Sequence, residues 1–187
     1  ADSFTIATIK DTYDTTKILQ SYCLLEKDVT PPKALPKATT IIRIPLQRAA
    51  VFSSVHLALL QELHAICQVR GVCDTQFIID QNLQALIQHR RLTNYGGSLR
   101  PDLELLVATR ADALLVSSLV DVDRPELRKM GIPIIECADY LETSALGRAE
   151  WVKFFGLLFG KGQAADSIFR QVEDRYQSLT RQVRTLR

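Results

Sequence analysis

Apolar and polar positions change period along the chain, and the changes divide it into elements. Residues 3–10 alternate apolar and polar, the period of a half-covered strand. Thr16 to Glu26 predicts a second strand with Ile18, Tyr22 and Leu24 on one face. Asp11 to Asp14 supplies the turn of a hairpin between them. Residues 28–38 carry three prolines and predict a loop. Thr39 to Ile44 is a β-branched run closed by Pro45, hence a strand.

Beyond residue 45 short apolar strands alternate with helical repeats. Arg48 to Ser53 predicts a strand that runs into a helix over Val55 to Ala65, with Ser53 or Ser54 as its N-cap. Val69 to Cys73 is the next strand, Asp80 to Gln88 a helix, and residues 94–98 a loop. Pro101 to Ala108 reads as a helix with proline in its first turn, where a missing N–H costs nothing. Asp112 to Ser118 is a buried type of strand, Arg124 to Met130 a short helix ended by Gly131, and Ile132 to Cys137 another strand.

The last fifth is helical. Leu146 to Phe159 is apolar nearly all round and predicts a buried helix, broken at Gly160 and Gly162. Gln163 to Arg187 repeats apolar residues at steps of three or four through Ile168, Val172, Tyr176, Leu179 and Val183. That predicts one amphipathic helix of about 24 residues, roughly 36 Å long.

Strand–helix alternation at this pace implies an α/β fold: a central parallel sheet flanked by helices, with an N-terminal β-hairpin extension and a long C-terminal helix. Ligands of such sheets meet the loops at the carboxyl ends of the strands. That rule places Ser53 and Ser54, Cys73 and Asp74, Ser117 and Ser118, and Ala138 to Tyr140 along one rim.

Composition narrows the function classes. The 187 residues are 47% hydrophobic and 24% charged, ordinary values for a folded domain. A net charge of +2 and an aromatic content of 7% give little support to a nucleic-acid binder. No apolar run reaches the roughly 18 residues of a membrane span. The four cysteines (Cys23, Cys67, Cys73, Cys137) form no C-x-x-C pair and have no histidine at zinc-finger spacing. Cys67 and Cys73 are either buried free thiols or, in an oxidising compartment, a short-range bridge. No phosphate-loop, nucleophile-elbow or metalloprotease motif occurs. His56, one turn into a helix that starts at the rim, faces a ligand or sits at the core edge; His64 and His89 read as surface residues. Tyr140 and Glu142 lie just past a strand's carboxyl end, either touching a ligand or in an ordinary surface loop.

Several short motifs then occur in a fixed order. They are Arg48 to His56, Phe77-Ile78-Ile79-Asp80, Asn94-Tyr95-Gly96-Gly97, Pro101-Asp102-Leu103-Glu104, Arg110 to Leu115, Gly131 to Ile135, and Leu146 to Phe155 followed by Phe159-Gly160-Lys161 and Ala165 to Phe169. In this order the chain, over roughly residues 38–187, resembles the substrate-binding proteins of cobalamin, ferric-siderophore and haem ABC importers, the class with a rigid helix joining two lobes. A departure is Arg110-Ala111-Asp112 where the family usually has Lys-Pro-Asp.

The resemblance implies an N-terminal β extension (1–45), an amino-terminal substrate-binding lobe (46–162) and an inter-lobe connecting helix (163–187), with the second lobe absent from this chain. It implies a ligand cleft at Ser54, His56, Asp74, Ser98, Ser117, Tyr140 and Glu142. It also implies that Glu104 docks on arginines of the membrane permease. The expected partners are thus a metal-chelate ligand and an ABC permease, with no nucleic acid, no resident cofactor and no catalytic residues. The expected location is periplasmic or at the cell surface, with or without a lipid anchor. The ligand stays open: His56 or Tyr140 suits haem iron, siderophore anions favour arginine clusters, and cobalamin favours apolar walls, whereas the rim reads as polar. Two rivals also stay open. One is a chelatase-like enzyme using His56 and Glu142; the other is a solitary domain that forms a homodimer through its last helix.

Overall fold

A computed structural model of the chain describes residues 4–117 and 125–185. Its centre is a five-stranded, all-parallel sheet. The strands are β4 (Ala49–Val51), β5 (Val69–Val72), β6 (Thr93–Asn94), β9 (Ala113–Ser117) and β10 (Ile134–Cys137), ordered β10-β9-β4-β5-β6. β4 is buried at all three positions because both faces of the sheet are covered. Ala49 and Val51 join the larger core with α1 (Ser54–Glu62), α2 (Gln81–Gln88) and α5 (Ala145–Phe159). Ala50 and Phe52 join a second core with Leu106 of α3 (Leu103–Ala108) and Leu127 of α4 (Pro125–Lys129).

The N-terminal segment is a hairpin, β1 (Phe4–Lys10) against β2 (Ile18–Glu26), to which β3 (Thr39–Ile44) adds in parallel with β2. The proline-rich loop over 27–38 is long enough to return the chain for parallel pairing. β2 was expected to cover one face only, with Ile18, Tyr22 and Leu24. Instead Ser21 to Leu25 are all buried, and Ile18 is exposed. Ile18 lies at the turn end, where a bulge interrupts the β1–β2 register. Tyr22 is held there by distant elements: its ring meets Phe154 of α5 at 5.9 Å. Its hydroxyl oxygen accepts the Glu136 N–H of β10 at 2.8 Å.

Helix starts follow the capping chemistry. Ser53, Asp80, Asp102 and Ser144 each accept a first-turn backbone N–H. Two sequence expectations change. Pro101 does not open α3; it pairs with Gly96 between β7 (Gly96–Gly97) and β8 (Arg100–Pro101), and Asp102 caps the helix instead. The expected loop over 94–98 contributes Asn94 to the edge strand β6 and both residues of β7. Ser118 and Arg124 lie outside the described residues. No disulfide joins the four cysteines, so the Cys67–Cys73 bridge does not form. Strand β5 stands between the two, about 13 Å of extended chain, whereas a disulfide needs Cα atoms within about 7 Å.

α5 is buried through Trp151, Val152, Phe155, Leu158 and Phe159, as its pattern requires. Gly160, at φ 67°, ends it in the left-handed conformation that glycine adopts without penalty. α6 (Gly162–Thr185) packs its first turns on α5, with Ala165 and Phe169 buried. Its apolar stripe then continues into solvent through Val172, Tyr176, Leu179 and Val183.

Candidate functional site

From β4 the sheet grows in two directions: to β5 and β6 on one side, to β9 and β10 on the other. The strand order therefore reverses between β4 and β9, and the carboxyl ends at such a switch point are the place where open parallel sheets take ligands. Ser54 starts α1 on one side of it, and Ser117 ends β9 on the other; both are half-buried.

Next along the rim the structure joins two expected residues. Asp74, in the left-handed conformation at φ 51°, accepts the Ser98 N–H at 3.1 Å, and its own N–H donates to Gly96 O at 2.8 Å. Asp74 thus fastens the β7 loop to the end of β5. On the opposite flank, Tyr140 and Glu142 occupy a tight turn after β10 (Asp139–Leu141). Arg148 of α5 donates to the carbonyls of Tyr140 and Glu142, both at 3.4 Å. Thr12 at the hairpin tip donates to Leu141 O at 3.0 Å.

His56 differs from the expectation of a ligand-facing side chain. It is 1% exposed, its Nε2 lies 2.9 Å from Asp139 Oδ1, and its ring packs on Phe155 at 5.3 Å. β9 separates β4 from β10, so this pair reaches across the end of β9 and ties two rim loops from beneath. Nδ1 is buried without a hydrogen-bond partner. Glu142 turns away from the switch point. Its Oε1 accepts the Trp151 indole N–H at 2.9 Å, and its side chain lines a groove of about 460 Å³ between the hairpin and α5. Glu104 is exposed on the first turn of α3, where a carboxylate suits the helix N-terminus.

The rim is less polar than the sequence suggested. Val55 is exposed in the first turn of α1, and Phe77, Ile79 and Leu99 on the loops after β5 and β7, with Phe77 at 65% and Ile79 at 89%. In the Phe77-Ile78-Ile79 run only Ile78 is buried, because a single 3-10 turn over Thr75–Phe77 points its neighbours outward. Three consecutive apolar residues beside a predicted rim were the signal available in the sequence. Among the described residues no three histidine, cysteine or carboxylate side chains converge to hold a metal ion. No helix among them is long and apolar enough to cross a membrane.

No family model matches the chain. An uncharacterised lipoprotein of Methanocaldococcus jannaschii is 26% identical over 167 residues, which cover 83% of this chain and 40% of that protein. The siderophore-binding protein BauB, solved with two acinetobactin molecules and ferric iron, matches with a TM-score of 0.63 at 17% identity, over 93% of this chain and 53% of that one. A periplasmic haem-binding protein of Pseudomonas aeruginosa matches with a TM-score of 0.57 at 20% identity, over 71% of this chain and 45% of that one. The chain thus spans about half, or less, of the length of the proteins it matches. Over that span its fold is that of periplasmic binding proteins.

Proposed function

We propose that this chain forms one wall of the ligand cleft in the substrate-binding component of an ABC importer for a metal chelate. One observation carries the reading. The parallel sheet reverses its strand order between β4 and β9, the kind of switch point where such sheets take ligands, and the fold matches a siderophore-binding protein over 93% of the chain. That match extends over more of the chain than the haem-binding match, which covers 71%. A ferric siderophore is therefore the ligand favoured within the wider class of iron and cobalt chelates.

In this reading the protein acts by affinity and docking rather than by chemistry. Ser54, Asp74, Ser98, Ser117 and Tyr140 present polar groups to the chelate. The exposed Val55, Phe77, Ile79 and Leu99 cover its organic body. His56 stands behind them as a support, and Glu142 borders the cleft from the adjoining groove. α6 serves as the connecting helix, and its exposed apolar stripe meets the half of the protein that carries the second wall. Glu104, exposed at a helix start, docks on permease arginines and gives register and encounter rate more than affinity. The periplasmic neighbours support a location in the periplasm or at the cell surface, and the relative described as a lipoprotein supports a lipid anchor there.

Co-elution through gel filtration, followed by visible absorbance, tests the proposal with a ferric hydroxamate, a ferric catecholate, haemin and cyanocobalamin. The gene product is expected to retain a ferric siderophore, and this chain alone to retain it weakly or not at all. Retention of none of the four by the gene product removes the importer reading. Full submicromolar affinity in this chain alone removes the one-wall arrangement.

A further inference from the structure

The groove between the hairpin and α5 has a chemistry of its own. Its volume of about 460 Å³ falls in the range of small-molecule sites, roughly 300–1,000 Å³. Trp151 and Phe154 line it, their rings edge to face with centroids 5.7 Å apart, and Ile9 of β1 lines it from across. Three carboxylates, Asp11, Glu142 and Glu150, share the lining with one ammonium, that of Lys10.

Two of those carboxylates already have cations. Asp11 lies 3.8 Å from Lys17 Nζ, and Glu150 lies 3.1 Å from Lys153 Nζ. Glu142 differs. Its hydrogen bond comes from a neutral donor, the Trp151 indole at 2.9 Å, and among the described residues no ion pair neutralises it. Arg148, six residues away in sequence, directs its guanidinium to the backbone carbonyls of Tyr140 and Glu142 instead. Gly147 leaves room for the Glu142 carboxylate, since a Cβ there would stand 2.7 Å from Oε2. A half-buried carboxylate without an ion-pair partner thus borders two aromatic rings in an open groove, with Lys10 the one ammonium in the lining.

We propose that this groove binds a small organic ammonium ion, quaternary or tertiary, with its charge against Glu142 and its alkyl groups on Trp151 and Phe154. An aromatic face and a carboxylate together favour a weakly hydrated cation over a compact, strongly hydrated one. An apolar body of a few carbons fits the Ile9 side. The ammonium probes are not metal chelates, so a failure here leaves the importer reading intact.

Trp151 is the sole tryptophan of the chain, so tryptophan emission comes from a ring that lines this groove. Choline and its neutral carbon isostere 3,3-dimethylbutan-1-ol are the probes. Choline is expected to shift the emission saturably and to bind about tenfold tighter than the alcohol. Glu142→Gln keeps an acceptor for the indole but removes the charge. It is expected to weaken choline about tenfold while leaving the alcohol unchanged. Phe154→Leu is expected to weaken choline by a smaller factor, with an unchanged thermal melt as the check on folding. Equal binding of the two probes overturns the proposal. So does a Glu142→Gln variant that binds choline as the wild type does, or an emission spectrum that neither probe alters.

Discussion

Asp139→Ala tests how the rim is supported. Asp139 lies in the turn after β10, and His56 in the first turns of the helix after β4; the two are 83 residues apart and 2.9 Å from contact. A carboxylate accepts, so the ring hydrogen of this bond sits on Nε2, and Nδ1 is buried with no partner. Removing the carboxylate leaves both ring nitrogens unpaired next to Phe155. A hydrogen bond to a charged group contributes about 1.5–3 kcal/mol, and stranding the buried donor raises the loss toward about 3 kcal/mol. His56→Leu keeps the volume but strands the Asp139 carboxylate, for a loss of similar size, about 3 kcal/mol. The double variant has nothing left to strand, so the two losses should not add; a coupling of about 2–3 kcal/mol is expected. In a chain of this size each single change lowers Tm by about 6–12 °C, and the double change by little more than either one. Urea unfolding followed by far-UV circular dichroism measures all three. Losses that sum to within about 0.5 kcal/mol show that the contact carries no energy of its own and refute the reasoning.

Gly156→Ala is expected to destabilise by about 1–3 kcal/mol, because its Cβ would stand 2.5 Å from that of Ala165 and push α5 from α6. Ala165→Gly in the same chain should recover part of the loss in urea unfolding; an unchanged midpoint in the Gly156 variant counts against the close approach. Burial pushes the phenols of Tyr22 and Tyr95 above the ordinary tyrosine value. The unfolded chain therefore loses these protons first. The stability they contribute is whole below about pH 10 and falls as pH rises beyond it. Absorbance at 295 nm should show these two of the five tyrosines ionising together with alkaline unfolding. Their ionisation while the fold persists would contradict the assigned burial.

The alternation of strands and helices, the long last helix and the rim at the strands' carboxyl ends were all legible in the residues. These features rest on local information: a period of two or 3.6, a Ser or Asp at a helix start, and a glycine at Gly160 where the chain must turn left-handed. Asp74 was legible at the rim because parallel topology aligns the strand ends; Ser98 was expected there only through the resemblance, and the Asp74 carboxylate accepts its N–H. The candidate residues themselves were less legible. Nothing near His56 in sequence says that Asp139 will meet it, so a histidine expected at a ligand became a buried support. Glu142 was readable as a loop carboxylate, but its indole partner sits in a helix whose pattern announced only burial. Cys67 and Cys73 are close in sequence, yet a strand forms between them and extends the chain. β2 looked one-sided and is covered on both sides through Ser21 to Leu25. The division has one cause: periodicity and caps are set within a few residues, whereas which face is covered, and which polar group finds a partner, depends on elements that meet only when the sheets and helices pack.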